Sequence, residues 1–215
     1  MIEGPAQIKT RECYYYPNKM GRIILLALED VMGRNGVNAV LNLAHLQHLI
    51  NNYPPNNLDL QFSFKEASGI QRALDDMYGP QGGKGLGTRA GRACFKYVLQ
   101  EFGTMLGLTD LTFRALPLDL KLKVGFNAFA ETLNKFSDQI VRLQEDENQF
   151  FFVIERCPAC WERQTLYPCC HLAAGLLHEA LNWVSGGKSF EVEETSCLAM
   201  GEATCTFQII KQPLD

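Results

Sequence analysis

Six of the chain's eight cysteines fall between Cys157 and Cys205, as Cys157-x2-Cys160, the adjacent pair Cys169-Cys170, and Cys197-x7-Cys205. Thiols at that density bind a thiophilic metal, carry redox chemistry or form disulfides. The start Met1-Ile2-Glu3-Gly4-Pro5 has neither the basic residues nor the apolar run of a secretory leader. The expected setting is therefore cytoplasmic and reducing, where clustered cysteines are metal ligands or buried thiols more often than disulfides. Cys13 and Cys94 stand alone and read as packing residues.

The spacing brings a subset of these residues together. Cys197 and Cys205 flank a predicted hairpin turn, so their thiols can approach. Cys170 follows Pro168 at the predicted start of a helix, and a helix N-terminus favours the thiolate, which is the metal-binding form. Strand parity adds a carboxylate. Phe190, Val192 and Glu194 share one face of a predicted strand, and the apolar pair should point inward, carrying Glu194 with it. A lone buried carboxylate is costly, and a cation beside it removes the difficulty. Cys205, Phe207 and Ile209 likewise share an inward face. Cys170, Cys197 and Cys205 with Glu194, or with Cys160 in its place, make a closed tetrahedral set. Zinc suits such a set, in a structural role. An iron–sulfur cluster is the rival, and a group of buried thiols without metal is the plain alternative.

Other motifs carry less. Gly82-Gly83-Lys84-Gly85-Leu86-Gly87-Thr88 lacks the Gly-Lys-Ser/Thr ending of a phosphate-binding loop and reads as a flexible loop. Cys157-Pro158-Ala159-Cys160 has the spacing of a redox dithiol without a surrounding βαβ pattern. His45, His48, His171 and His178 read as structural, and no nucleophile–base pair is supported by spacing, so no catalytic residue is assigned.

The elements that must position these residues follow from periodicity. Helices are predicted over 19–32 and 37–51, separated by Gly33-Arg34-Asn35-Gly36, then over 65–77 and 88–106 on either side of a glycine-rich loop, 79–87. Leu58, Leu60, Phe62 and Phe64 alternate with polar residues, as in a short strand. Leu118, Leu122, Phe126, Phe129, Leu133, Phe136 and Ile140 recur at steps of three and four, placing one apolar stripe on a helix. After a polar stretch, 144–149, come a strand (150–156), a loop (157–167), a helix (170–184) and a hairpin of strands 189–195 and 204–211. Helices followed by strand, helix and hairpin predict an α+β fold with an antiparallel sheet. Residues 1–16 read as a tail and 17–215 as one domain, with a helical part, 17–145, and a metal-binding part, 146–212.

With 47% apolar and 20% charged residues in 215, the chain has the balance of a globular protein with a sizeable core. A net charge of −4 argues against a nucleic-acid partner. No transmembrane span is expected, because the apolar run 23–28 is broken by Glu29, Asp30 and Arg34, far short of roughly 20 residues.

The runs Cys170-His171-Leu172-Ala173-Ala174-Gly175, Glu194-Thr195-Ser196-Cys197-Leu198-Ala199-Met200-Gly201 and Cys205-Thr206-Phe207 resemble the 4-vinyl-reductase domain. The shared pattern is a Cys with Gly five residues later, Glu-x2-Cys-x-Ala-x-Gly, then a Cys and an apolar strand. The resemblance implies a fold similar to that of the vesicle-tethering subunits that hold an acyl chain in a buried tunnel. It also implies likeness to the sensor domains of phenol-responsive transcription activators, in which three cysteines and a glutamate hold zinc. Those correspond here to Cys170, Glu194, Cys197 and Cys205. Cys157 and Cys160 depart from that sensor pattern.

The expectation is a metal-stabilised module, sensor or carrier, for a hydrophobic small molecule such as an aromatic, an acyl chain or a tetrapyrrole. Phe126, Phe129, Phe152, Leu176, Phe190 and Val192 are the candidate pocket residues. A reductase or iron–sulfur redox protein of tetrapyrrole metabolism, and a ligand-free scaffold subunit, are the alternatives. A homodimer through the N-terminal helices is a further expectation.

Overall fold

The structure, a computed structural model, describes residues 13–104 and 111–214. Strand β1 (Tyr15–Pro17) leads into helix α1 (Asn18–Leu43), and β2 (Leu60–Ser63) into the long helix α2 (Phe64–Phe102). A four-residue helix, α3 (Leu111–Arg114), precedes α4 (Leu118–Phe136). The C-terminal part runs β3 (Ile140–Glu145), β4 (Gln149–Arg156), α5 (His171–Ser185), β5 (Val192–Ser196) and β6 (Cys205–Ile210). These make the expected α+β fold.

The larger sheet is antiparallel with order β3-β4-β6-β5. Its inner face follows the parity of β4 and β6: Phe150 opposes Ile209, Phe152 opposes Phe207, and Ile154 opposes Cys205, all buried. Helix α4 lies on this face. Phe129 stacks on Phe152 with ring centroids 5.9 Å apart, and Phe126 touches both Phe150 and Phe152 at 6.0 Å. The apolar stripe of α4 is thus its sheet-facing side. The stripe ends at Phe136, because Ile140 opens β3, a strand that the helical periodicity had absorbed.

Helices α1 and α2 each contain one break, at Gly33 (φ 73°) and Gly79 (φ 72°). The second segment of α1 stops at Leu43, short of the expected Asn51, and His45 takes a positive φ in the turn that follows. The expected tail also folds further than its composition suggested, since Tyr15 and Tyr16 pair with Ser63 and Phe62. The rest of that tail, 1–12, and the end expected for the helix at Leu106 lie outside the described residues.

The glycine-rich segment 79–87 is helix rather than loop. Gly79 breaks the helix, and Pro80 restarts it at a first-turn position where its missing N–H costs nothing. The other glycines serve close packing. A Cβ at Gly83 would collide with Asp75, and one at Gly87 would press on His171 and Gln71. At the crossing of α2 and α5, a Cβ on Gly91 would run into the Leu172 carbonyl and one on Gly175 into that of Thr88. The two helices meet backbone to backbone, which fixes the height of the N-terminus of α5 against α2.

Candidate metal centre

Four chain segments meet at one end of the sheet: the loop leaving β4, the start of α5, the end of β5 and the start of β6. Each delivers cysteine there, and Cys157, Cys160, Cys169, Cys170, Cys197 and Cys205 are all buried and free of disulfides. The 157–170 loop is pinned in place by Ser68 Oγ donating to the Trp161 carbonyl (2.6 Å) and by the Thr165 N–H donating to Ala199 O (2.9 Å). Trp161 packs on Tyr14 and Phe64 and so anchors this loop to β1 and α2.

The sulfurs of Cys170, Cys197 and Cys205 form a triangle with edges of 3.8, 3.9 and 3.6 Å. A tetrahedral zinc with Zn–S bonds of about 2.3 Å requires edges of about 3.8 Å. A Glu194 carboxylate oxygen completes a set whose ligand atoms all lie within 4.8 Å of one another. Glu194 sits where the β5–β6 register shifts, an irregularity of the kind that re-aims a side chain. Its Oε2 accepts the Cys170 N–H at 2.9 Å, at the N-terminus of α5. Its Oε1 is buried with no hydrogen-bond partner among the described residues. Burial, then the neighbouring Cys197 thiol, pushes the carboxyl up to about 8. A cation is the group that this orphaned oxygen lacks, so these residues fit one.

A second set overlaps the first. Cys157, Cys160, Cys170 and Cys205 also lie mutually within 4.8 Å, with 3.6 Å from Cys157 to Cys170 and 3.3 Å from Cys160 to Cys205. Cys169 lies 4.0 Å from Cys197, outside both sets. Hydrogen bonding to Cys157, Cys160, Cys169 and Cys197, together with burial, raises the Cys170 thiol, whereas the same network, led by Cys160, lowers that of Cys197. The Leu198 N–H donates to Cys205 Sγ at 3.3 Å, a contact that favours the thiolate. Arg163 adds positive charge. It is buried, pairs with Asp75 at 2.6 Å, and leaves Nη1 without a partner among the described residues. Burial disfavours its charge, but Cys169 and Asp75 more than offset this.

An apolar cavity of about 50 Å³ abuts the thiols. Its walls are Tyr16, Met20 and Ile24, then Cys94 and Val98 from α2, Phe129 and Leu133 from α4, Phe152 and Ile154 from the sheet, and Leu172, Leu176 and Leu177 from α5. Cys157, Pro158 and Ala159 close the end nearest the cysteine cluster. Of the expected pocket residues, Phe129, Phe152 and Leu176 line this cavity, and Phe126 lines an adjoining void of about 20 Å³. Phe190 is buried in the core, and Val192 faces an open polar groove with Lys84, His171, His178 and Glu194. The periodicity reading missed the cavity's polar groups. Gln139 is buried there, and its Oε1 has no hydrogen-bond partner among the described residues. Burial raises the Tyr16 phenol, and burial pushes Cys94 up to about 12, so both stay protonated. Gln139 follows the Phe136 end of the helical stripe, and no spacing rule singles it out.

Comparison with curated protein sequences gives no match. In fold the chain is similar to solved structures of H-NOX proteins. An Fe(II) unliganded H-NOX protein from K. algicida has a TM-score of 0.58 at 11% identity, covering 93% of this chain and 98% of the other. An H-NOX protein from S. oneidensis in the Fe(II)NO ligation state has a TM-score of 0.55 at 16% identity, covering 90% and 99%. Identities this low speak to the fold alone. The segment that carries most of the large sheet, α5 and all six clustered cysteines is the one that a family model recognises: residues 150–211 match the 4-vinyl-reductase domain, whose motifs run through Cys170, Glu194, Cys197 and Cys205.

Proposed function

We propose that this protein binds a small hydrophobic molecule in the cavity beneath α4, as a sensor or carrier, and that a structural zinc ion on Cys170, Glu194, Cys197 and Cys205 holds the cavity's end wall. The observation that carries the reading is the shared wall. Residues 157–159 line the cavity while Cys157 reaches Cys170 at 3.6 Å. A ligand that displaces this wall displaces the thiol cluster, which ties together α5, β6 and the end of β5. Residues 17–215 act as one unit, since the cavity draws its walls from the helical part and from the 4-vinyl-reductase-like part alike. Free buried thiols at this density suit a reducing, cytoplasmic setting.

The cavity's size and polarity narrow the ligand. An engineered apolar cavity of about 150 Å³ takes up benzene. A cavity of about 50 Å³ suits a single ring or a thin chain after modest adjustment of Phe129, which also borders two smaller voids. A tetrapyrrole, and with it the haem named for the H-NOX family, requires α4 to leave the sheet. Gln139 Oε1 selects ligands with an O–H or N–H donor, because an unpaired buried acceptor gains most from a donor.

A second reading, an iron–sulfur redox protein, is favoured by the all-cysteine set Cys157, Cys160, Cys170 and Cys205. The Cys197→Ser variant and the absorption spectrum address both. Under the zinc reading the wild type is colourless, and Cys197→Ser loses metal and melts lower together. Visible absorption with bound iron selects the cluster instead. Unchanged metal content in Cys197→Ser contradicts the assigned zinc ligands.

A further inference from the structure

We propose that the cysteine cluster is a binuclear centre, in which Cys170 and Cys205 bridge two divalent thiophilic cations such as zinc. The inference rests on the mononuclear zinc reading and extends it. The two four-ligand sets are not rivals for one ion, because they share an edge. Both contain Cys170 and Cys205, 3.6 Å apart, and each adds two ligands of its own: Cys157 and Cys160 in one, Glu194 and Cys197 in the other.

One tetrahedral ion can take four of these six ligands and must strand the rest. With the ion on Cys170, Glu194, Cys197 and Cys205, the Cys157 and Cys160 thiols stay buried against its ligands at 3.6 and 3.3 Å. With the ion on the four-cysteine set, Glu194 Oε1 stays buried and unpartnered. Two ions sharing the bridging pair leave none of the six idle. The distances agree with a tetrahedral edge of about 3.8 Å or somewhat less, as expected for thiols that close up before metal separates them. Ions each about 2.3 Å from both shared sulfurs lie within about 3 Å of one another.

Charge and second-ligand positions fit the same arrangement. Two divalent cations against five thiolates and one carboxylate leave the centre net negative. The buried Arg163, with Nη1 lacking a partner among the described residues, and the N-terminus of α5 supply compensating positive charge. Loading requires each thiol to release its proton to solvent and involves no redox step. The second ion has a distinct mechanical role. Its private ligands, Cys157 and Cys160, bracket Pro158 and Ala159 in the cavity wall, whereas the first ion holds only α5 and the hairpin.

The test is metal stoichiometry on the full chain loaded with zinc sulfate and desalted, by plasma mass spectrometry against amino-acid analysis. Native mass spectrometry checks the count, and X-ray absorption at the zinc edge looks for a metal–metal path. The proposal predicts two zinc ions per chain, a path near 3 Å, and a fall to one ion in the Cys157→Ser/Cys160→Ser variant. One ion in the wild type overturns the binuclear centre and leaves the mononuclear reading standing. None overturns both. Two ions retained in the double variant overturn the ligand assignment. The wild-type count decides the matter even where the variant does not fold.

Discussion

Among single residues, polar groups buried without partners are the ones that point to bound ions and ligands. Glu194 Oε1, Gln139 Oε1 and Arg163 Nη1 each sit where a native protein normally satisfies its hydrogen bonds. Two of them adjoin the thiols and one the cavity. Cys197→Ser should abolish stoichiometric zinc and lower the melting temperature by on the order of 10 °C, since metal binding to such a set is folding free energy. Gln139→Leu should behave oppositely in the ligand-free protein, leaving it as stable or about 1 kcal/mol more stable in urea. The same variant should weaken binding of phenol roughly tenfold while leaving toluene unaffected, as calorimetry would show. Equal losses for both ligands would place Gln139 outside the binding role. Asp75→Asn strands the buried Arg163 and should cost about 3–5 kcal/mol, whereas replacing both partners by apolar residues should cost much less. Little of this was visible in sequence. The carboxylate was, through the parity of Phe190, Val192 and Glu194, because a strand's period of two survives without tertiary information. Cys157 was not assigned, although a Cys-x2-Cys pair usually sends both thiols to one place.

Among the elements, the glycines carry the lesson. Composition reads 79–87 as a flexible loop, yet α2 runs through it. Glycine lowers helix propensity, and here tertiary packing overrides that preference, because the chain needs close backbone approach more than local helix stability. Propensity cannot tell a glycine that frees a loop from one that admits a neighbouring helix. The mistaken end of α4 has a different origin. Ile140 fits the helical period by coincidence and belongs to β3, whose partner β4 is adjacent in sequence and supplies the pairing. The α2–α5 crossing makes a prediction of its own. Gly175→Ala should destabilise the protein by about 2–3 kcal/mol, and it should also weaken zinc retention against a chelator, because it displaces the helix start that bears Cys170. A variant that loses stability and keeps wild-type retention would detach the crossing from the metal site.

Across the molecule as a whole, one cysteine-lined seam joins the two parts of the fold. The helical part supplies most of the cavity and the 4-vinyl-reductase-like part supplies the thiols, and residues 157–159 belong to both. Among the described residues no helix is long and apolar enough to cross a membrane. The α+β architecture and the convergence of Cys170, Glu194, Cys197 and Cys205 were legible from periodicity, parity and spacing. The cavity was only half legible, since pocket-lining and core residues share one composition, and only packing decides which of Phe129 and Phe190 borders a void. Whether the thiol seam is built around metal is decided by the metal content and absorption spectrum of protein purified without added metal, followed by its melting temperature after chelation. Colourless protein that carries zinc and melts markedly lower once stripped is the expected outcome. Metal-free protein that is fully folded, with a melting temperature indifferent to zinc, would rule out a structural metal at this site.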